Sequence, residues 1–249
     1  MKKNALIIGI RNQDSICYYI AKELIKNGYD IYATYQKETE NSVKEIAKDI
    51  GIKKIYLYDA RYTESLDNFT NEIKKDDIMI DALVHGIAYS GSATSPISYL
   101  MDVEWEEFAN AIRIGAFSLV EIVGRLIDNL REGSSIIALS SRLARLAVPG
   151  FNIIGATKAS LESIVRGLAE SLGKIKNIRV NSIAPGPIPT KSLSKLGNVL
   201  EILEATRKKS PLKRNVKKED IASLAVTIIK NQSVTGTLYT IDTGMDIMG

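Results

Sequence analysis

One segment of this sequence begins with a hydroxyl group, ends with an ammonium group and contains between them an aromatic residue without a hydroxyl. Ser141 supplies the hydroxyl, Lys158 supplies the ammonium group, and Phe151 lies between them. A positioned hydroxyl or ammonium group can donate a hydrogen bond to a developing oxyanion or take part in proton transfer, whereas a phenyl ring can do neither. Ser141 and Lys158 could therefore take part in polar chemistry, whereas Phe151 could not.

A second chemical feature follows the first apolar run of the chain. Gly9 can make a tight turn, and Ser15 and Ile16 then open a helical stretch. Because backbone amides at a helix N-terminus bind phosphate, this segment can hold the pyrophosphate of a dinucleotide. The usual three-glycine fingerprint is absent, and a glycine turn followed by a serine N-cap explains the same residues without a ligand.

Short apolar, β-branched runs alternate with longer stretches of helical period along the chain. The candidate strands are Ala5–Ile8, Ile31–Tyr35, Ile55–Tyr58, Ala82–His85, Ser135–Ser140, Ile178–Ile183 and Thr237–Ile241. The candidate helices are Ile16–Asn27, Ser42–Asp49, Ser65–Lys74, Val103–Leu130, Asn152–Leu172, Asn198–Lys208 and Glu219–Lys230. This alternation predicts an α/β protein with one Rossmann-type domain over residues 1–249, a doubly wound parallel sheet of about seven strands with helices on both faces. Ligands of such a sheet bind beyond the carboxyl ends of its strands.

The composition is that of an ordinary soluble protein, with 249 residues, 45% hydrophobic, 25% charged and a net charge of +4. The charges are scattered, so we expect no nucleic-acid partner; the short basic run over residues 207–214 is a solvated helix end or, alternatively, a patch for nucleic acid or an acidic carrier. Cys17 is the only cysteine, which favours the cytoplasm. No stretch approaches the ~20 apolar residues of a membrane span. A single histidine, His85, predicts no zinc site, and we expect it to be packed.

An ordered set of short motifs runs along nearly the whole chain. They are Gly9 with Ser15-Ile16, Thr34-Tyr35-Gln36, Asp59, His85-Gly86-Ile87-Ala88-Tyr89, Leu139-Ser140, Gly155–Glu162, Arg179–Ile183, Ala184–Ile188 and Asp242-Thr243-Gly244. This set resembles the divergent short-chain dehydrogenase/reductase pattern of bacterial enoyl-acyl-carrier-protein reductases that use NADH.

The resemblance implies hydride transfer from a nicotinamide to the β-carbon of a 2-enoyl thioester, as in fatty-acid-type synthesis. Lys158 is then the residue that hydrogen-bonds the nicotinamide ribose. The family tyrosine that donates to the thioester oxygen falls on Phe151, and the tyrosine of ordinary short-chain dehydrogenases falls on Ile154. Ser141 stands at a second family tyrosine and at the serine of ordinary dehydrogenases, so it offers a hydroxyl to the substrate oxygen. Arg113 occupies the position where the usual tetrad has asparagine.

These departures leave the identity of the proton donor open. Ser141, Tyr89, Lys158, the cofactor ribose or a water molecule could each deliver the proton. Tyr89 follows the fourth predicted strand, where the family lines its substrate pocket, so it is a pocket wall or a substitute acid. Two further interpretations stay open. The chain is a reductase of another activated double bond, a carbonyl or an imine, or it binds the cofactor without catalysis.

The resemblance also implies the cofactor contacts and the partners. Gln36 at the end of the second strand is typical of members that use NADH, while Lys37 could meet the phosphate of NADPH; we favour NADH. The expected cofactor-binding residues are Gly9, Ser15, Ile16, Gln36, Asp59, Ala60, Gly86, Ile87, Lys158, Pro185, Gly186, Ile188 and Thr190. We expect a small-molecule or acyl-thioester substrate, with acyl carrier protein as its candidate carrier.

Residues from about 188 to 212 are expected to form a lid over the substrate. Its apolar face would consist of Leu193, Leu196, Val199 and Leu203, although core packing explains the same residues. The two longest predicted helices are apolar around much of their circumference, more than one sheet face can cover. The superfamily buries such helices between subunits, so the resemblance implies a homotetramer.

Overall fold

The chain folds around one parallel seven-stranded sheet, which confirms the predicted fold class. The computed structural model describes residues 2–89, 100–148, 151–190, 193 and 198–248. The strands are β1 (Lys3–Ile8), β2 (Tyr29–Tyr35), β3 (Lys54–Leu57), β4 (Ile80–His85), β5 (Leu130–Leu139), β6 (Arg179–Pro185) and β7 (Leu238–Ile241). They lie in the order β3-β2-β1-β4-β5-β6-β7, and every pairing is parallel. The strand order therefore reverses between β1 and β4.

Helices cover both faces of this sheet. They are α1 (Ile16–Lys26), α2 (Glu40–Ile50), α3 (Thr63–Lys75), α4 (Trp105–Ile112), α5 (Ser118–Leu126), α6 (Asn152–Lys176), α7 (Val199–Lys209) and α8 (Lys218–Lys230). Helices α1, α2 and α8 pack on one face, and α3, α5 and α6 pack on the other. Successive residues of β1 enter the two cores alternately, Ala5 and Ile7 the first and Leu6 and Ile8 the second. Burial on both faces explains why the strands read as continuous apolar runs.

The stretch predicted as one helix from Val103 to Leu130 is divided in the structure. Helix α4 passes into a π-helical turn, Arg113–Phe117, before α5 begins. Leu130 already belongs to β5, where it pairs with Ile80. The helical prediction was wrong at this end because Leu126 and Leu130 keep a helical spacing, and pairing with a distant strand leaves no trace in local periodicity.

Buried polar residues of β6 fix this strand to its surroundings. The guanidinium of Arg179 donates to the carbonyl oxygens of Ile228 and Ile229 at 3.0 and 2.7 Å, in the last turn of α8. The side-chain nitrogen of Asn181 donates to the carbonyl oxygen of Val234, and its side-chain oxygen accepts the amide of Thr237, both between α8 and β7. These bonds satisfy carbonyl groups that a helix end leaves free and hold the loop that follows β6.

The predicted lid is described only in part. Val199 and Leu203 of α7 are half-buried, as is Leu193, whereas Leu200 is 77% exposed. Leu196 lies outside the described residues. The single domain over residues 1–249 and the lid at 188–212 stay predictions.

Candidate active site

The loops after β1 and β4 touch each other at two glycines. Gly9 has a φ of +111°, in the region that favours glycine, and a Cβ added to it would lie 2.5 Å from the carbonyl oxygen of Gly86. Both loops leave the sheet where the strand order reverses. The two glycines therefore let the two loops pack backbone against backbone at the place where a doubly wound sheet binds its ligand.

Ser15 occupies the N-cap position of α1, but its side chain does not cap the helix. The hydroxyl donates to the carbonyl oxygen of Asn12 at 2.8 Å and makes no bond to the first amides of α1. Ser15 thus stands at the N-cap position that the sequence indicated, but it does not make the hydrogen bond of an N-cap. A helix N-terminus without a side-chain cap keeps its amides for an anion.

Replacing Gly86 by alanine is expected to destabilise the protein through one identified contact. A Cβ at Gly86 would lie 2.2 Å from the sulfur of Cys17. Overpacking of this kind costs about 1–3 kcal/mol of unfolding free energy. Adding Cys17→Ala should restore part of that loss, because it removes the sulfur. Denaturant unfolding of the single and double variants measures both free energies.

Gly124→Ala is the matched control, since nothing lies within 4 Å of a Cβ added at this position of α5. It should be neutral or stabilise the helix by about 0.5–1 kcal/mol. Equal losses in Gly86→Ala and in the double variant would show that Cys17 is not the limiting contact.

Lys158 lies in α6 and is buried between the ends of β4 and β5. Its Nζ donates to the carbonyl oxygens of Ile87 and Leu139 at 3.0 and 2.9 Å. Burial lowers the pKa of Lys158 to about 8, although the nearby Cys17 and Glu162 favour the charged form. An ammonium group has three hydrogens, so one remains for a ligand. The lysine that the sequence singled out therefore stands at the carboxyl ends of the central strands.

Ser140 and Ser141 follow β5 and have different partners. The buried Ser140 donates to Oε1 of Glu162 at 2.6 Å. Ser141 is the N-cap of the 3-10 turn Arg142–Ala144, and its Oγ accepts the amide of Leu143 at 3.3 Å. Because that amide occupies an acceptor position of Oγ, the Ser141 hydroxyl hydrogen is left to donate to a ligand.

Phe151 stands directly before α6 in a small apolar cluster. The buried members are Ala111, Ile153 and Ile154, against which Tyr89, Val103, Phe108, Leu143 and Phe151 pack. Leu143 joins this cluster to Ser141, whose Oγ accepts its amide. The cluster gives the site an apolar wall to which Tyr89 belongs. Proton donation by Tyr89 stays a prediction.

The ends of β2 and β3 carry the predicted adenosine contacts. The side chain of Gln36 hydrogen-bonds Asp59, and Arg61 Nε donates to Asp59 Oδ1 at 3.0 Å. Burial would raise the pKa of Asp59, but the bonds from Arg61 and Gln36 outweigh it and hold that pKa below its usual range. Arg61 also lies 3.4 Å from Glu38, measured from Nη2 to Oε1. Ala60, the remaining predicted contact here, is buried.

The loop after β6 meets the C-terminal segment at Gly186. The Gly186 amide donates to the carbonyl oxygen of Ile241 at 2.9 Å. A Cβ on Gly186 would lie 3.0 Å from the Cβ of Asp242, so the two backbones need the glycine to come this close. The other predicted contacts of this loop are buried or half-buried: Pro185, Ile188 and Thr190.

Thr243 has a φ of +63°, an unusual conformation for a β-branched residue. A glycine would adopt this conformation without strain. Ser210 Oγ donates to the carbonyl oxygen of Thr243 at 2.8 Å, and Thr243 Oγ1 donates to the carbonyl oxygen of Arg214 at 2.8 Å. These bonds tie the C-terminal segment to the chain that follows α7.

Two other residues that the sequence singled out have structural roles. His85 is fully buried, with Nε2 2.9 Å from Ser118 Oγ, and burial lowers its pKa to about 3. It is packed, as expected. Arg113 donates to Thr63 Oγ1 at 2.6 Å and lies 3.8 Å from Glu121. It is therefore directed toward α3 and not toward Lys158.

The sequence did not single out Cys17, Arg61 or Glu162 as parts of the site. Burial raises the pKa of Cys17 to about 12, so it is a neutral thiol. Glu162 had a readable signal, because its spacing from Lys158 places both on one face of α6. Within the described ranges, no three His, Cys, Asp or Glu side chains are grouped to hold a metal ion. No helix in that part of the chain is long and apolar enough to cross a membrane.

Comparison with known proteins covers almost the entire chain. A family model described as Enoyl-(Acyl carrier protein) reductase matches residues 9–246. The enoyl-[acyl-carrier-protein] reductase [NADH] FabI of Rickettsia felis is 36% identical over 250 residues, which cover 99% of this chain and 95% of the relative. The protein of the same description from Nostoc sp. is 32% identical over 255 residues, covering 99% and 97%.

Solved structures agree with these sequence matches. The enoyl-[acyl-carrier-protein] reductase (NADH) of Aquifex aeolicus superposes with a TM-score of 0.92 at 31% identity, covering 99% of this chain and 97% of its own. The Anaplasma phagocytophilum reductase in complex with NAD gives 0.90 at 29% identity, covering 99% and 93%. The Bacillus cereus reductase with NADP+ gives 0.94 at 30% identity, covering 99% and 97%.

Proposed function

This chain belongs to the enoyl-[acyl-carrier-protein] reductase family, a branch of the short-chain dehydrogenases/reductases, and on that premise we propose that it reduces the C=C bond of a 2-enoyl thioester with NADH. The observation that carries this function is that Lys158 Nζ bonds the carbonyl oxygens of Ile87 and Leu139, the latter two residues before Ser141, in the strand-end region where the backbones of Gly9 and Gly86 touch. A doubly wound sheet presents its ligands at this place. The activity belongs to fatty-acid-type synthesis.

The residues at the sheet reversal fit a dinucleotide. Gly9 and Gly86 let the loops after β1 and β4 pack closely where the strand order reverses, and Gln36 and Asp59 offer an amide and a carboxylate for the adenosine. Arg61 is already bonded to Asp59, which favours NADH over a cofactor with a 2′-phosphate. When bound, the nicotinamide supplies the hydride that adds to the β-carbon. The residues proposed to hold the cofactor are Gly9, Ser15, Ile16, Gln36, Asp59, Ala60, Gly86, Ile87, Lys158, Pro185, Gly186, Ile188 and Thr190.

Lys158 and Ser141 have separate tasks in this reaction. Lys158, held by two carbonyl oxygens, uses its remaining hydrogen to fix the ribose. Ser141 donates to the thioester oxygen, where negative charge develops as the β-carbon is reduced. A thioester enolate is a delocalised and weakly basic anion, so one hydroxyl stabilises it until the α-carbon takes a proton from one of the donors named above, which are Ser141 itself, Tyr89, Lys158, the cofactor ribose and a water molecule. Phe151 contributes an apolar wall that keeps water away and so strengthens the Ser141 bond.

Phe151 also favours a second candidate function. A site without the phenol suits a substrate that needs no proton donor, such as an iminium, or another activated C=C bond. A protein that binds the cofactor without catalysis is the third candidate. All three bind NADH, so only turnover distinguishes them.

The test uses the purified chain, NADH and a series of trans-2-enoyl groups carried by pantetheine, coenzyme A and acyl carrier protein. We expect NADH oxidation together with a saturated thioester detected by mass spectrometry. NADH binding with reduction of an imine or ketone, but of no thioester, would support the second candidate. NADH binding without oxidation in any assay would contradict both enzymatic candidates.

We also propose that the protein acts as a cytoplasmic homotetramer and takes its substrate from acyl carrier protein. Large apolar side chains at and around α4 support burial by another copy, with Met101 87%, Trp105 71% and Phe117 48% exposed. The free thiol of Cys17 fits a reducing compartment. The substrate carrier follows from the family.

A further inference from the structure

The carboxylate of Asp246 holds two arginines that follow Ser141. Its Oδ2 lies 2.9 Å from Arg145 Nη2, and its Oδ1 lies 3.0 Å from Arg142 Nε in an ion pair without hydrogen-bond alignment. Arg142 begins the 3-10 turn of which Ser141 is the N-cap, and Arg145 ends it. One carboxylate near the C-terminus therefore holds both ends of the turn that starts at Ser141.

Arg145 extends this contact toward α6. Its guanidinium donates to Thr240 Oγ1 at 3.2 Å and lies 3.6 Å from Glu162 Oε1. The same Glu162 oxygen accepts the hydroxyl of the buried Ser140 at 2.6 Å. A row of alternating charges thus runs from Asp246 through Arg145 to Glu162. Glu162 lies one helical turn after Lys158 in α6.

Asp246 is itself fixed and partly shielded from solvent. Its amide donates to Asp242 Oδ2 at 2.6 Å. The side chains of Arg142 and Asp246 keep only 13% and 19% of their exposure. The ion pair of Lys174 and Glu170 on α6 is far more exposed, at 76% and 58%, so solvent screens it more strongly.

We propose that Asp246 is a positioning residue for the reduction, whose carboxylate sets, through Arg142 and Arg145, the turn that presents the Ser141 hydroxyl. The kinetic part of this inference rests on the proposed function, whereas the ordering of the turn does not. Without the charge at 246, Arg142 and Arg145 lose the anion they share, and the turn relaxes away from its position. A displacement of about 1 Å in a reacting group can cost a hundredfold in rate.

Asp246→Asn keeps the shape of the side chain and removes its charge. We expect it to lower kcat for an enoyl thioester by roughly ten- to a hundredfold, with KM and the dissociation constant of NADH nearly unchanged. Asp246→Glu, which keeps the charge, should recover most of the loss. Arg145→Gln breaks the same pair from the other side and should repeat the effect. Glu170→Gln, which breaks the exposed pair on α6, is the control and should change nothing.

Amide hydrogen exchange in the unliganded protein tests the position of the turn without turnover. The amides of Ala144 and Arg145 donate to the carbonyl oxygens of Ser141 and Arg142 at 3.1 and 3.0 Å. In Asp246→Asn these amides should exchange at least roughly tenfold faster, while α2 keeps its protection.

The outcomes separate this inference from the proposed function. Unchanged exchange in the turn, or equal loss of protection throughout the chain, would overturn the positioning role. An unchanged kcat in Asp246→Asn would overturn it as well. If the unmodified protein reduces no thioester but Asp246→Asn exchanges faster in the turn, the proposed function is overturned. Asp246 then remains the residue that sets the turn.

Discussion

Replacing Lys158 by methionine should lower kcat/KM for the enoyl thioester by on the order of a thousandfold. Methionine fills a similar volume but has no hydrogen to donate, so the carbonyl oxygens of Ile87 and Leu139 lose their shared partner. The ribose loses the group that we propose fixes it. Steady-state kinetics measure the rate, and fluorescence titration with NADH separates weaker cofactor binding from slower chemistry.

Lys174→Met is the matched control on the same helix. The Lys174 side chain is 76% exposed, and within the described part of the chain its ion pair is with Glu170. This variant should keep full activity. If Lys158→Met reduces the thioester at the rate of this control, Lys158 has no part in the reaction.

The same lysine predicts a pH dependence of activity and of stability. Burial lowers the pKa of Lys158 from 10.5 to about 8, so activity that needs the ammonium form should fall as the pH rises through about 8. Between pH values of about 8 and 10.5, the Lys158 side chain is protonated in the unfolded chain and neutral in the folded chain. The free energy of unfolding should therefore rise with pH across this window relative to Lys158→Met. A flat difference between the two proteins would contradict the lowered pKa.

Replacing Ser141 by alanine should lower kcat/KM by roughly a hundred- to a thousandfold, the usual effect of removing one donor to a developing oxyanion. The Ser141 Oγ accepts the Leu143 amide, which leaves its hydrogen to donate, and we propose that it donates to the thioester oxygen. Kinetics with a short enoyl thioester measure the loss. Ser171→Ala, which removes an exposed hydroxyl of α6, is the control and should have no effect.

Adding Phe151→Tyr should raise the activity of the Ser141→Ala protein at least tenfold. The gain should not exceed what one oxyanion donor typically contributes, roughly a hundred- to a thousandfold. Phe151 packs in the cluster that contains Leu143, the residue whose amide meets Ser141, so a phenol at 151 enters the same region. Measuring Phe151→Tyr alone and with Ser141→Ala gives the coupling between the two hydroxyls. Independent effects would mean that they do not serve the same oxygen.

The sheet could be predicted from the sequence because its signals are local. The run Ala5–Ile8 is apolar at every position because successive side chains enter two different cores. Gly9 was found in the same way, since a turn after a strand can be read along the chain, whereas Lys158 was singled out by the resemblance of its motif to the reductase family. The boundary at Leu130 was misread because its partner, Ile80, is distant in sequence.

The residues alone were enough to establish the fold class, and their resemblance to the reductase family singled out Lys158, Ser141 and Phe151 as candidate site residues. The folded chain was needed to show that Cys17 lies against Gly86, that Arg113 faces α3, and that Asp246 holds the turn after Ser141. The physical reason is that patterns of polarity and spacing describe an element and its buried face. Contacts between loops depend on strand order and on how closely the backbones approach, and residues far apart in the chain acquire these only when the sheet is assembled.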